Sequence, residues 1–277
     1  DDMLVERMEQ EIINDLGKVY PEVGKEQHLV DALCAFHERT EEKMILIIDE
    51  WDAMFRECKG QTHILDAYIL LLRSLFKSSL TDQLFSGVYM TGILPIKKYG
   101  HESAVSDFYE YTMVDPCPLQ EYIGFTETEV EMLCKKYQKD YALMQQWYDG
   151  YFVGGIHVYN PKSVMESILR NKFSSYWTKT ETYEALRDYI DMNFDGLKDA
   201  VIDMLGGAVC EVDTGSFQND MTSMKSKDDV LTLLIHLGYL AYDEEKQMVG
   251  IPNVEIRQEF IRAIKNGNHI EKTAQII

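Results

Sequence analysis

The stretch MILIIDEWDAMF, residues 44–55, runs five apolar side chains straight into Asp49 and Glu50, with Asp52 two positions later. A buried strand that ends on acids holds its carboxylates at a fixed place on the rim of a sheet. Mg²⁺ is a hard cation that takes oxygen ligands and keeps several waters. One aspartate at a strand tip can therefore hold it, directly or through water, beside phosphate oxygens. A glutamate in the next position can orient and polarise an attacking water. These residue types in this order make Asp49 the metal-side candidate and Glu50 the catalytic candidate. Thr91 closes the next apolar run, LFSGVYMTGIL at residues 84–94. There a polar side chain is placed to sense a γ-phosphate. The simpler reading is that Asp49 or Asp52 only caps the helix that follows. The motif by itself leaves both readings open.

An aliphatic strand ending in Asp-Glu is the Walker B pattern. Its companion, the phosphate loop GxxxxGK[ST], occurs nowhere in the 277 residues. Gly154-Gly155 and Gly206-Gly207 lack both the lysine and a strand-to-helix setting. Without that loop, no row of backbone N–H groups cradles the phosphates. ATP and Mg²⁺ are therefore expected to bind these residues weakly or not at all on their own. Arg73, Lys97 and Lys98 fall near the presumed nucleotide edge, where ordinary surface cations are equally at home.

The elements that must position these residues follow from periodicity. Leu4, Met8, Ile12, Leu16 and Val19 share one face of a helix. A second helix fits residues 27–39. The aliphatic run 44–48 predicts a strand buried on both faces, as in a parallel sheet. An apolar helix over 64–80 and a strand over 84–94 follow. This order argues for an α/β fold with parallel crossovers. Residues 119–205 read as mostly helical with little strand signal. Thr126 with Glu129 is a capping box opening a helix through Tyr137, Asn160-Pro161 starts another over 162–170, and 180–189 fits a third. Ser226 and Asp229 cap a helix over 230–237 that Gly238 stops. Residues 239–242 and 248–251 form a hairpin, and 254–264 a last helix.

Composition narrows the class. Lys and Arg number 27 against 47 Asp and Glu, a net charge of −20, which opposes broad contact with nucleic acid or anionic membrane. Solubility explains that charge more simply than any acidic function. The five cysteines and seven histidines are scattered, with no CxxC pair and no HExxH, so neither zinc nor a disulfide framework is indicated. Neither a signal peptide nor an apolar run of bilayer length is present, and a cytoplasmic location is expected.

The motifs IIDEWD, YMTGILPIKKYG, FTETEV, WYDGY, VYNPKSVM, FSSYWTKTETY, DDVLTLLIHLGYL and IPNVEIRQEF, in this order, resemble the AAA-ATPase-like family. This is a group of bacterial proteins often ending in a PD-(D/E)XK nuclease-like domain. The resemblance runs along nearly the whole chain. It implies an RRFGKS-like phosphate loop upstream of Asp1 and a nuclease-like domain downstream. Asp49 and Glu50 match the family's Walker B acids, and Thr91 loosely matches its polar position after the next strand. The implied architecture is a P-loop NTPase-like parallel sheet without its Walker A segment (1–117) and a helical lid (118–205), while the order helix, two-stranded wing and helix read above suggests a winged-helix-like unit (206–277). The implied activity is that of an ATP-binding and hydrolysing molecular switch. The alternative is a protein-interaction or regulatory module that keeps the fold without nucleotide chemistry.

Other conspicuous residues have plainer explanations. Trp147, Tyr148, Asp149 and Tyr151 could stack a base, but large rings more often anchor a core. Glu41-Glu42-Lys43 and Glu244-Glu245-Lys246 each contain E-x-K and read as solvated charge. Lys225, Lys227, Lys246, Arg257 and Arg262 surround the winged-helix-like segment, yet the helix that would read bases, VLTLLIHL, is too apolar to do so. It is expected to pack inside, so nucleic acid is not favoured as a partner. Lacking its neighbour, the strand over 84–94 is expected to show an unpaired apolar edge open to a protein partner or to self-association.

Overall fold

The computed structural model describes residues 3–58, 60–77, 79–93, 108–177, 190, 194–215, 217 and 224–266. The chain is mixed α/β and divides into two compact units, Asp1–Tyr109 and Glu110–Ile277.

The first unit runs α1 (Leu4–Val19), α2 (Leu29–Thr40), β1 (Met44–Ile48), α3 (Ala53–Glu57), α4 (Thr62–Phe76), α5 (Thr81–Leu84) and β2 (Phe85–Met90). The long apolar helix expected over 64–80 is thus shorter, and a separate turn of helix leads into β2. In α4, Ile64, Tyr68, Leu71, Leu72 and Leu75 recur at helical spacing and are all buried. They pack with Val5 and Ile13 of α1, Leu29, Ala32 and Leu33 of α2, and the inward side of the sheet. Each such aliphatic side chain contributes about 1.5–3 kcal/mol by leaving water.

β1 and β2 pair in parallel, with Ile45 opposite Gly87, Leu46 opposite Val88, Ile47 opposite Tyr89 and Ile48 opposite Met90. The intervening helices make the crossover that a parallel pair requires. Met44, Leu46, Ile48, Val88 and Met90 pack on the core. Ile45, Ile47 and Tyr89 point the other way, 71%, 68% and 53% exposed. This corrects the expectation of burial on both faces. An aliphatic residue at every position predicts two covers, whereas the described helices cover one face only. Among the described residues β2 pairs with β1 alone.

The second unit opens with a three-stranded antiparallel sheet in the order β3 (Phe125–Thr126), β5 (Ile156–Tyr159), β4 (Tyr151–Val153). Helices dominate the described residues of 119–205, as expected, but the little strand signal read there hides this sheet. The signal lies in YFVGGIHVY: β-prone residues flank Gly154-Gly155, whose φ values of +56° and +87° make a two-residue hairpin turn. α6 (Glu127–Tyr137) carries the full Thr126–Glu129 capping box. α7 (Tyr141–Tyr148) is capped by Asp140, and α8 (Pro161–Arg170) by Asn160, which accepts from the Ser163 N–H. The helix expected over 180–189 lies outside the described residues.

The chain then forms a helix Leu197–Leu205, β6 (Cys210–Glu211), a helix Lys227–His236, the hairpin β7 (Ala241–Asp243) and β8 (Met248–Gly250), and a helix Val254–Asn266. These strands make a second antiparallel sheet in the order β6-β8-β7. Ser226 and Asp229 form a capping box at the start of helix Lys227–His236. Val230, Leu231, Thr232, Leu233, Leu234 and Ile235 of that helix are all buried, so no face of it is free to enter a groove of DNA. Residues before and after position 205 share one core: the Tyr151 hydroxyl donates to the Gly238 carbonyl at 2.6 Å, and the Ser163 hydroxyl to Glu255 at 3.0 Å. No helix among the described residues is long and apolar enough to cross a membrane.

Candidate functional site

The three residues singled out for chemistry meet at the tips of β1 and β2. Parallel pairing continues past the strand ends: the Thr91 N–H donates to the Ile48 carbonyl at 2.9 Å, and the Trp51 N–H to the Thr91 carbonyl at 2.8 Å. This brings the Thr91 hydroxyl onto the Asp49 carboxylate, to which it donates. The Glu50 N–H donates to Asp49 Oδ1 at 3.1 Å and to Thr91 Oγ1 at 3.2 Å. Asp49 and Glu50 are exposed and Thr91 is half-buried. Glu50 adopts φ +51°, the left-handed region, which costs a residue with a Cβ about 1–2 kcal/mol. Backbone strain of this kind concentrates at functional turns.

Beneath this exposed rim lies a buried floor. Asp52 is 3% exposed. It occupies the residue before α3, yet its side chain makes no capping bond. Instead both carboxylate oxygens accept from the Ile93 N–H, each at 3.3 Å. The Tyr68 hydroxyl of α4 donates to the Trp51 carbonyl at 3.0 Å. Burial first, and the Asp52 charge second, push the Tyr68 phenol up to about 12. The buried Trp51 ring stands edge-on to Phe55 at 5.4 Å, and Phe55 to Tyr68 at 6.1 Å. A Cβ on Gly92 would lie 2.5 Å from the Trp51 indole, so only glycine lets the loop after β2 pass this ring.

Carboxylate and hydroxyl oxygens on an exposed rim are hard donors of the kind Mg²⁺ takes. Among the described residues no group of three or more His, Cys, Asp or Glu is placed to hold a metal ion unaided. A single aspartate supplemented by water and phosphate oxygens is the arrangement these residues fit. They do not supply a phosphate cradle. Lys97 and Lys98 lie outside the described residues. Asp52, Trp51 and Tyr68 were not read as part of the site from the sequence. The only signal was the third acid of IIDEWD, which helix capping explained equally well.

The other conspicuous residues build the second unit's interior. Tyr148 is fully buried; its hydroxyl donates to the Ser174 carbonyl at 2.9 Å and its ring stacks on Phe173. Asp149 accepts from the Gly150 N–H and pairs with His157 at 3.0 Å, while Asn253 donates to the Asp149 carbonyl at 2.8 Å. WYDGY and IPN therefore meet as one structural joint. Arg257 donates to the Leu205 carbonyl, and Arg262 pairs with the buried Glu259. Buried Glu255 accepts from the Tyr176 and Trp177 N–H groups at 2.6 and 3.1 Å. Burial raises its carboxyl to about 7.

Comparison with known proteins bears on the first unit. Residues 3–101 match the AAA-ATPase-like family model, described as a predicted AAA-ATPase. The span contains Asp49, Glu50, Asp52 and Thr91, and it supports the family likeness read from the motifs. No curated protein and no solved structure matches the chain.

Proposed function

Because residues 3–101 are similar to predicted AAA-ATPases, we propose that the tips of β1 and β2 form the metal-and-water half of an ATP site in a nucleotide-dependent molecular switch. The observation that carries this reading is the convergence of Asp49, Glu50 and Thr91 through direct hydrogen bonds. In this reading Asp49 holds Mg²⁺ on one side of the nucleotide, and Glu50 orients and polarises the attacking water. Thr91 keeps the Asp49 carboxylate aimed and senses the phosphate. When bound, Mg²⁺ neutralises charge on the phosphate oxygens. The phosphate cradle comes from a segment outside the 277 residues. The bare face of Ile45, Ile47 and Tyr89, and the edge of β2 that pairs with no strand among the described residues, support further sheet and helix packing there. The order helix, strand, helix and hairpin over residues 197–250 supports a winged-helix-like reading of the C-terminal portion.

Thermal unfolding with and without Mg-ATP tests the proposal. A protein in which a phosphate-loop segment precedes Asp1 is expected to melt higher with millimolar Mg-ATP, and the 277 residues alone to shift little. No shift in the extended protein contradicts it.

The same bare apolar face favours a second reading, an interaction module in which β1 and β2 present a docking surface to another protein. That reading predicts no response to Mg-ATP in either form.

A further inference from the structure

We propose that Asp52 is the positioning residue of the nucleotide site, a buried carboxylate that locks the loop after β2 onto the turn after β1. The inference rests on the reading of Asp49, Glu50 and Thr91 as one site, and it assigns that site a supporting acid outside the Asp-Glu pair.

The chain supplies a helix for Asp52 to cap, and Asp52 does not cap it. Its carboxylate is turned under the strand tips to receive the Ile93 N–H on both oxygens. Ile93 is two residues beyond Thr91, and Asp52 is two residues beyond Glu50. The bond therefore closes a small ring of backbone: Trp51 N–H to the Thr91 carbonyl at one side, Ile93 N–H to the Asp52 carboxylate at the other. Gly92 lies between them. Its missing Cβ would sit 2.5 Å from the Trp51 ring and 3.1 Å from Asp52 Oδ1. The loop thus rests directly on Trp51 and Asp52, with no side chain between.

Two free strand tips would let Thr91 drift from Asp49 by the ångström that matters in a metal or water site. A carboxylate inside the floor removes that freedom. Asp52 is buried beneath the exposed rim that carries Asp49 and Glu50, so it acts through Thr91 and the Glu50 turn. Its burial costs desolvation, and the bond to Ile93 offsets part of that cost.

The test is amide hydrogen exchange by NMR on the 277-residue protein, without nucleotide. In Asp52→Ala, the Ile93 and Glu50 amides are expected to exchange about tenfold faster while the α4 amides keep their rates. Asp52→Asn retains an acceptor oxygen and is expected to restore both amides to near the wild-type rate. Gly92→Ala, whose methyl meets the Trp51 ring at 2.5 Å and lifts the loop off the Asp52 carboxylate, is expected to reproduce the Ala pattern and keeps the test alive if Asp52→Ala does not fold. Unchanged Ile93 and Glu50 amides in Asp52→Ala or in Gly92→Ala overturn the proposal. So does uniform acceleration across the first unit, or an Asn variant that behaves as Ala. Because no nucleotide is present, failure here leaves the ATP reading standing, and failure of Mg-ATP to bind leaves this result standing.

Discussion

The Thr91 hydroxyl donates to the Asp49 carboxylate across the tips of two parallel strands. That bond joins the metal-side candidate to the polar residue at the end of the next strand, and the Glu50 N–H is shared between them. Thr91→Val removes the donor at constant shape. It is expected to cost about 1.5 kcal/mol, the lower end for a bond to a charged group because the site is open to water. Thr91→Ser is expected to restore most of it. Urea unfolding of the three proteins checks the order; equal midpoints for Val and Thr contradict it.

Glu50 sits at φ +51°. Asparagine tolerates this region and a β-branched residue does not. Glu50→Val is expected to lose at least about 1 kcal/mol relative to Glu50→Asn. Chemical denaturation of the pair measures the strain. If the two variants have equal stability, the turn relaxes at no cost and the strained conformation is incidental.

A buried carboxyl and a half-buried imidazole in the second unit give opposite pH dependences. Burial, with Glu259 adding to it, raises the Glu255 carboxyl from 4.5 to about 7, against the pull of its hydrogen bonds. The folded state therefore holds that proton more tightly than the unfolded chain. The stability it contributes is full below about 4.5 and is lost as pH rises through about 7. Burial lowers the His236 imidazole from 6.5 to about 4, so its contribution is full above 6.5 and is lost as pH falls through about 4. Between about 4.5 and 6.5 the two slopes oppose one another. Glu255→Gln keeps an acceptor for the Tyr176 and Trp177 N–H groups but cannot ionise. It is expected to be more stable than the wild type above pH 7, on the order of 2–3 kcal/mol. It is also expected to lose stability from pH 6.5 toward 4, where His236 is no longer opposed. Superimposable stability–pH curves contradict this account.

The bare sheet face gives a surface prediction. Ile47 is 68% exposed, so Ile47→Lys is expected to change stability by less than about 0.5 kcal/mol. If β1 and β2 serve self-association, sedimentation of the wild type is concentration-dependent and that of the Lys variant is not. Concentration-independent sedimentation of the wild type removes self-association and leaves cover by another polypeptide segment.

The elements that carry strong local chemistry were legible in the sequence. α1, β1 and α6 span the residues that periodicity, an aliphatic run and a capping box marked, although α1 buries Val5 and Ile13 and leaves Ile12 and Val19 of the expected face exposed. The residues of the candidate site were legible for the same reason, since strand-end acids and a strand-end threonine are local features. Two things were not. The sheet of β3, β5 and β4 was hidden because its strands are two to four residues long and sit among helical patterns, with only Gly154-Gly155 marking the turn. The role of Asp52 was hidden because its partner is the backbone of Ile93, on another element, and no spacing rule reports a tertiary hydrogen bond. The bare face was misread because hydrophobicity records what must be covered and not what covers it.

In the proposed site, Glu50 handles the attacking water of ATP hydrolysis and the metal lies at Asp49. Single-turnover ATP hydrolysis by a protein carrying a phosphate-loop segment ahead of Asp1, with Glu50 or with Glu50→Gln, tests it most directly. The account predicts a fall in turnover of roughly 10²-fold or more in the Gln variant, with Mg-ATP binding retained. Equal turnover in the two proteins would remove Glu50 from the chemistry and contradict the account.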